Sequence, residues 1–94
     1  MKKDILKKIY ERILERKKNP QEGSYVNYLQ NKGIDKICKK VGEEAAELII
    51  GAKNNNQEEI IYECSDLFFH ALVLLAELGV SPDAIYQELE KRYK

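Results

Sequence analysis

Two acidic pairs are the residues in this sequence best placed to do chemistry. Glu44 and Glu47 stand three apart in KVGEEAAEL, and Glu63 and Asp66 stand three apart in YECSDLF. On helices each pair occupies one face, because positions i and i+3 are neighbours there. Between the pairs lie Asn54, Asn55 and Asn56, residues that favour caps and turns over helix interiors, so the spacing predicts a helical hairpin bending near Asn55. Counted from that tip, Glu47 and Glu63 are each eight residues away, and Glu44 and Asp66 are each eleven away. Antiparallel packing then sets four carboxylates at matching heights, the nearer pair roughly 12 Å below the tip at 1.5 Å rise per residue.

Four ionised carboxylates gathered between two helices repel one another and are costly to bury, so they require a cation or raised pKa values. An all-oxygen set without histidine or thiolate suits Mg²⁺, with Mn²⁺ as a substitute, over Zn²⁺. The competing reading makes both pairs solvated helix faces, and the residues alone leave the two open. His70, the only histidine, lies one helical turn beyond Asp66. A hydrogen bond from His70 that orients the Asp66 carboxylate is favoured over a catalytic role, since metal-bound carboxylates usually have such supporting partners.

The elements that must position these residues are legible as helices. Ile5, Leu6, Ile9, Tyr10 and Ile13 form a stripe on a first helix from about Asp4 to Lys17, which Asn19, Pro20 and Gly23 then break. Ser24 opens SYVNYLQNKG as the cap of a short helix ended by Gly33; a ligand contact is its less favoured role. Ile34, Ile37, Cys38, Val41, Ala45, Leu48 and Ala52 give a third helix, Ile34 to Lys53, an unbroken apolar stripe. Lys36, Lys40, Glu43, Glu44 and Glu47 share its adjoining face, and Gly42 and Gly51 within it point to close packing.

Asn56 caps a fourth helix that runs to about Leu78, with Glu58 and Glu59 in its first turn. Ile60, Ile61, Cys64, Leu67, Phe68, Ala71, Leu72, Leu75 and Leu78, extended by Phe69, Val73 and Leu74, make it apolar on most sides, which predicts a central position. Glu63, Asp66 and His70 interrupt that surface in one line, and acidic residues on a buried helix need partners. Gly79, Ser81 and Pro82 end it and start a fifth helix whose face is Ala84, Ile85, Tyr86, Leu89 and Tyr93. No strand-like alternation or repeat is present, so the expected class is all-α.

Ninety-four residues make one expected domain, 1–94, near the size at which a monomer can just bury an adequate core, so oligomerisation is expected. Sixteen basic residues balance sixteen acidic ones, which removes the electrostatic argument for a nucleic-acid or anionic-membrane partner. The longest apolar run, Leu67 to Ala76, contains His70 and is too short to span a bilayer. The charged, periodic N-terminus is unlike a signal sequence, giving a cytoplasmic expectation. Cys38 and Cys64 lie seventeen and nine residues from the hairpin tip, at different heights, and are expected to be buried and unpaired.

EExxE at Glu43, Glu44 and Glu47 followed by ExxD at Glu63 and Asp66 resembles the signature of the all-α, MazG-like nucleotide pyrophosphohydrolases. Within that superfamily, GSYVNYL from Gly23, GIDKICKKVGEEAAELIIGAKN from Gly33, YECSDLFFHALVLLAELGV from Tyr62 and the closing ELEKRY resemble the phosphoribosyl-ATP pyrophosphohydrolase family in order along nearly the whole chain. Gly51 departs from the alanine more usual there. The resemblance implies hydrolysis of phosphoribosyl-ATP to phosphoribosyl-AMP and pyrophosphate, the second step of histidine biosynthesis, with Mg²⁺ held by Glu44, Glu47, Glu63 and Asp66. It implies that Glu43 helps position the attacking water or a second metal. Lys40, Lys53 and Lys36 become candidates for phosphate contacts, against an i, i+4 salt bridge such as Lys40 with Glu44. Ser24, Tyr25 and Asn27 become candidates for the ribosyl or base portion. It further implies helical hairpins that assemble, as a homodimer or a dimer of dimers, into a four-helix-bundle-like core, and a stand-alone form without a cyclohydrolase domain.

Two rivals remain beside it. A housecleaning hydrolase of nucleoside triphosphates such as dCTP or dUTP would use the same acids, and a non-enzymatic helical dimerisation module would not use them at all. A di-iron bundle is disfavoured, because it needs ExxH on two helices.

Overall fold

A computed structural model describes residues 4–93. The expected domain, 1–94, and the N-terminal reading include residues 1–3 and 94, which lie outside the described residues. The fold is all-α: α1 (Ile5–Lys18), α2 (Tyr25–Lys32), α3 (Ile34–Lys53), α4 (Gln57–Leu78) and α5 (Pro82–Arg92).

The hairpin between α3 and α4 is set by two asparagines acting in different ways. Asn55 adopts a left-handed conformation, φ 54°, while its N–H donates to the Ala52 carbonyl and the Asn56 N–H donates to the Gly51 carbonyl. This paired closure satisfies two otherwise orphan carbonyls at the end of α3. The Asn56 side chain then accepts the Glu59 N–H at 3.2 Å and caps α4. Gly51 explains how close the helices come at the tip, since a Cβ there would stand 3.3 Å from Cγ of Glu59. Gly42 has no such neighbour within 4 Å, so the packing expected of it does not occur among the described residues.

Gly79, at φ 73°, closes α4 in the same paired manner, with the Val80 N–H donating to the Leu75 carbonyl at 2.9 Å. Ser81 caps α5 through the Asp83 N–H, and Ser24 caps α2 through the Asn27 N–H at 3.2 Å.

The core joins four helices: Tyr10 and Ile13 of α1, Leu29 of α2, Ile37 of α3, and Leu72 and Val73 of α4. Tyr10 also donates its hydroxyl to the Val80 carbonyl at 2.8 Å, tying α1 to the far end of α4. The core is narrower than the apolar stripes foretold. Ile5, Ile34, Cys38, Ala52, Ile61, Phe68 and Leu78 are exposed, because each faces away from the junction of α1–α4. On α5, Ala84, Ile85 and Leu89 are exposed, and Tyr93, 88 % exposed, lies past the last helical residue. Cys38 is therefore a correction to the buried expectation; Cys64 is half-buried, and both are free thiols. No single described helix is long and apolar enough to cross a membrane.

Candidate active site

The register read from the sequence holds in three dimensions. Carboxylate oxygens of Glu44, Glu47 and Glu63 lie within 4.8 Å of one another, and ligand atoms of Glu44, Asp66 and His70 form a second group of the same span. Glu44 is the corner common to both. Asp66 thus joins the site through Glu44 and His70 rather than in one compact set with Glu47 and Glu63.

Helix geometry explains the burial. Glu44 is 4 % exposed and Glu63 7 % exposed, because both point into the seam between α3 and α4, whereas Glu47 is exposed at its edge. Glu44 Oε1 and Glu63 Oε1 are buried without any hydrogen-bond donor among the described residues. A buried carboxylate oxygen lacking a donor is costly, and two aimed into one seam fit a hard cation. The same crowding shows in Glu63, pushed up to about 7 by burial first and then by Glu47, Glu44 and Asp66.

Lys40 supplies the cationic border. Its Nζ lies 3.9 Å from Glu43 Oε1 and 4.0 Å from Glu44 Oε2. Burial works against the ammonium, but the fields of Glu44, Tyr25, Glu43 and Asp66 prevail and raise its pKa. Glu43 itself belongs to neither carboxylate group and is turned toward Lys40 and solvent. Lys36 is half-buried two turns before Glu44, roughly 12 Å away along the axis. Lys53 is exposed at the end of α3, beside the asparagine turn and roughly 9 Å along the axis from Glu47.

His70 corrects one detail of the sequence reading. Its i, i+4 bond reaches Asp66, yet Nδ1 meets the backbone carbonyl at 2.9 Å instead of the carboxylate. Across the seam Nδ1 also lies 3.2 Å from Glu44 Oε1, which nonetheless has no hydrogen-bond partner among the described residues. The other ring nitrogen, Nε2, is 2.8 Å from the Tyr25 hydroxyl. With both nitrogens engaged, His70 is not a free metal ligand, and the all-oxygen set remains.

Tyr25 is the α2 residue brought to the acidic seam, and Ser24 is held as its cap. Asn27 is drawn elsewhere. Its Oδ1 accepts the Gln21 N–H at 2.8 Å, and its Nδ2 donates to the Arg16 carbonyl at 3.0 Å and Gln30 Oε1 at 2.9 Å. Both hydrogens of that amide are used to fasten the α1–α2 loop, while Asn27 also lines the cleft beside it. An open cleft of about 580 Å³ beside this loop is lined by Gly23, Ser24, Tyr25, Asn27, Tyr28 and Asn31 among others, and Tyr25 is where cleft and acidic seam meet. Sequence reasoning missed the Tyr25–His70 link; the i, i+3 tyrosines of SYVNYL, now stacked at 6.0 Å, were its visible trace.

A family model described as phosphoribosyl-ATP pyrophosphohydrolase matches residues 6–93. The chain belongs to the phosphoribosyl-ATP pyrophosphohydrolase family. It is 61 % identical over 92 residues to the phosphoribosyl-ATP pyrophosphatase of Leuconostoc mesenteroides, covering 98 % of this chain and 80 % of that protein. Over 93 residues it is 57 % identical to the phosphoribosyl-ATP pyrophosphatase of Geotalea daltonii, covering 99 % and 88 %. The histidine biosynthesis bifunctional protein HisIE of Caldanaerobacter subterraneus is 60 % identical over 91 residues, but the chain spans only 44 % of its length. Glu44, Glu47, Glu63 and Asp66, all within the matched span, are the carboxylates gathered in the α3–α4 seam.

Proposed function

We propose that this chain hydrolyses phosphoribosyl-ATP to phosphoribosyl-AMP and pyrophosphate, the step its single-function relatives are named for, as a cytoplasmic enzyme of histidine biosynthesis. The observation that carries the reading is the pair of donorless buried oxygens, Glu44 Oε1 and Glu63 Oε1, in the seam formed by the family's acidic residues.

Glu44, Glu47, Glu63 and Asp66 would hold Mg²⁺. When bound, the ion supplies charge neutralisation on the phosphate oxygens and on the departing pyrophosphate. The remaining work falls to the chain. Water attacks the phosphorus next to the ribose, the anhydride bond to pyrophosphate breaks, and a seam carboxylate takes the water's proton. Glu43, outside the carboxylate groups but bridged to them by Lys40, is suited to orienting that water. Lys40, already between two carboxylates, is placed to meet a phosphate, with Lys36 and Lys53 more remote candidates. Ser24 and Tyr25 border the cleft that would take the nucleoside part.

The proposal includes a homodimer or a dimer of dimers. Ile49, Ile61, Tyr62 and Phe68 on α3 and α4 are each more than half exposed in the single chain, an apolar surface suited to a second copy completing a four-helix core.

Pyrophosphate release with Mg²⁺ should be measured on phosphoribosyl-ATP and on a panel of canonical and deoxy nucleoside triphosphates. Selective turnover of phosphoribosyl-ATP is expected. Preference for dCTP or dUTP would instead assign the housecleaning reaction to the same seam.

A further inference from the structure

His70 is 2 % exposed, wedged between the acidic seam and the start of α2. Its surroundings fix the hydrogen on its ring. Nδ1 faces the Asp66 carbonyl at 2.9 Å and Glu44 Oε1 at 3.2 Å, and neither oxygen donates, so Nδ1 carries the hydrogen. In the neutral ring Nε2 is then an acceptor, and the group 2.8 Å away is the Tyr25 hydroxyl. That hydroxyl has one hydrogen, and burial above all, with Glu44 and Asp66 adding to it against the opposing field of Lys40, raises its pKa. The ring of Tyr25 is fixed as well, packed edge-on to His70 at 5.7 Å and stacked on Phe69 at 6.3 Å.

We infer that His70 is a positioning residue that turns the Tyr25 hydroxyl into a hydrogen-bond acceptor at the junction of the cleft and the carboxylate seam. With its only hydrogen given to Nε2, Tyr25 presents lone pairs to whatever binds there. It therefore receives an O–H donor and turns away bare phosphate oxygen. Two sources offer that chemistry, a sugar hydroxyl of the nucleotide and a water molecule held in the seam. This rests on the proposed hydrolysis and assigns to Tyr25 the polarity of its contact.

Because His70 is the chain's only histidine, its tautomer is directly readable by long-range ¹H–¹⁵N NMR on the whole protein without metal or substrate. A protonated Nδ1 with an unprotonated Nε2 is expected, and the Nε2 signal should shift in Tyr25→Phe. Hydrogen on Nε2 would overturn the inference whatever the enzyme's activity.

Kinetics with phosphoribosyl-ATP and Mg²⁺ then test the consequence. His70→Gln retains an acceptor at the reach of Nε2, whereas His70→Asn retains only a donor near Nδ1. His70→Gln should stay near wild type, while His70→Asn and Tyr25→Phe should each lose roughly tenfold in kcat/KM, the scale of one buried hydrogen bond. The double variant His70→Asn/Tyr25→Phe should be no worse than either alone. A rise in KM with kcat kept would identify the sugar hydroxyl; a fall in kcat with KM kept would identify the water. Equal losses in the two His70 variants, or additive losses in the double variant, would reduce His70 to a packing residue. Wild-type protein inactive on phosphoribosyl-ATP would instead contradict the proposed reaction and leave the NMR result to decide the tautomer.

Discussion

Glu63 faces Glu47 across the α3–α4 hairpin, with carboxylate oxygens within 4.8 Å of each other and of Glu44. Burial and this opposition push Glu63 up to about 7 from its ordinary 4.5. A carboxyl raised on folding binds its proton more tightly in the folded chain than in the unfolded one. Between about pH 4.5 and about pH 7 the unfolded chain has released a proton that the fold retains, so metal-free stability should fall as pH rises through that window and level off above it. Thermal unfolding from pH 4 to 8 checks this, and Glu63→Gln should flatten the dependence.

Metal linkage follows from the same group with the opposite sign. A cation requires Glu63 ionised, so binding below about pH 7 releases a proton. Apparent Mg²⁺ affinity should rise by about tenfold per pH unit up to that point and then flatten. Titration calorimetry in buffers of different ionisation enthalpy reads both the affinity and the released proton.

Asn27 holds three hydrogen bonds around the α1–α2 loop. Asn27→Ala strands the Gln21 N–H and the Arg16 carbonyl and should cost about 2 kcal/mol or more of stability. Urea unfolding measures the loss. Activity of the fraction that remains folded should change far less than it does in variants of the seam carboxylates.

Gly51 sits where α3 and α4 nearly touch, but the contact a new Cβ would meet at 3.3 Å is the flexible side chain of Glu59. Gly51→Ala should therefore stabilise the hairpin, by less than the roughly 1 kcal/mol that alanine gains over glycine in a helix. A lower urea midpoint would show that Glu59 cannot yield.

Ile61 is 60 % exposed on α4, beside Tyr62 at 64 %. If a second chain covers this face, Ile61→Glu should shift the protein toward monomer in sedimentation analysis and lower its stability at low concentration. A wild-type monomer would remove the assembly from the account.

Helix boundaries, caps and the hairpin register were legible because each rests on local chemistry. Ser24, Asn56 and Ser81 cap from their own side chains, and equal counting from Asn55 aligns Glu47 with Glu63 whatever the rest of the chain does. What was not legible depends on contacts distant in sequence. The face of Asn27 is decided by Arg16 and Gln21, and the partner of His70 lies forty-five residues away at Tyr25. Cys38, Ile61 and Phe68 read as core because periodicity reports an apolar face without saying which chain buries it.

The most direct test of the seam as a hydrolytic centre is product analysis on phosphoribosyl-ATP with wild type and Glu44→Gln, in Mg²⁺ and after chelation. Glu44 is the corner shared by both ligand groups. Equimolar phosphoribosyl-AMP and pyrophosphate are predicted from wild type in Mg²⁺, with turnover at least about a hundredfold lower in Glu44→Gln and lost on chelation. Undiminished turnover by Glu44→Gln, or by the chelated wild type, would contradict the account.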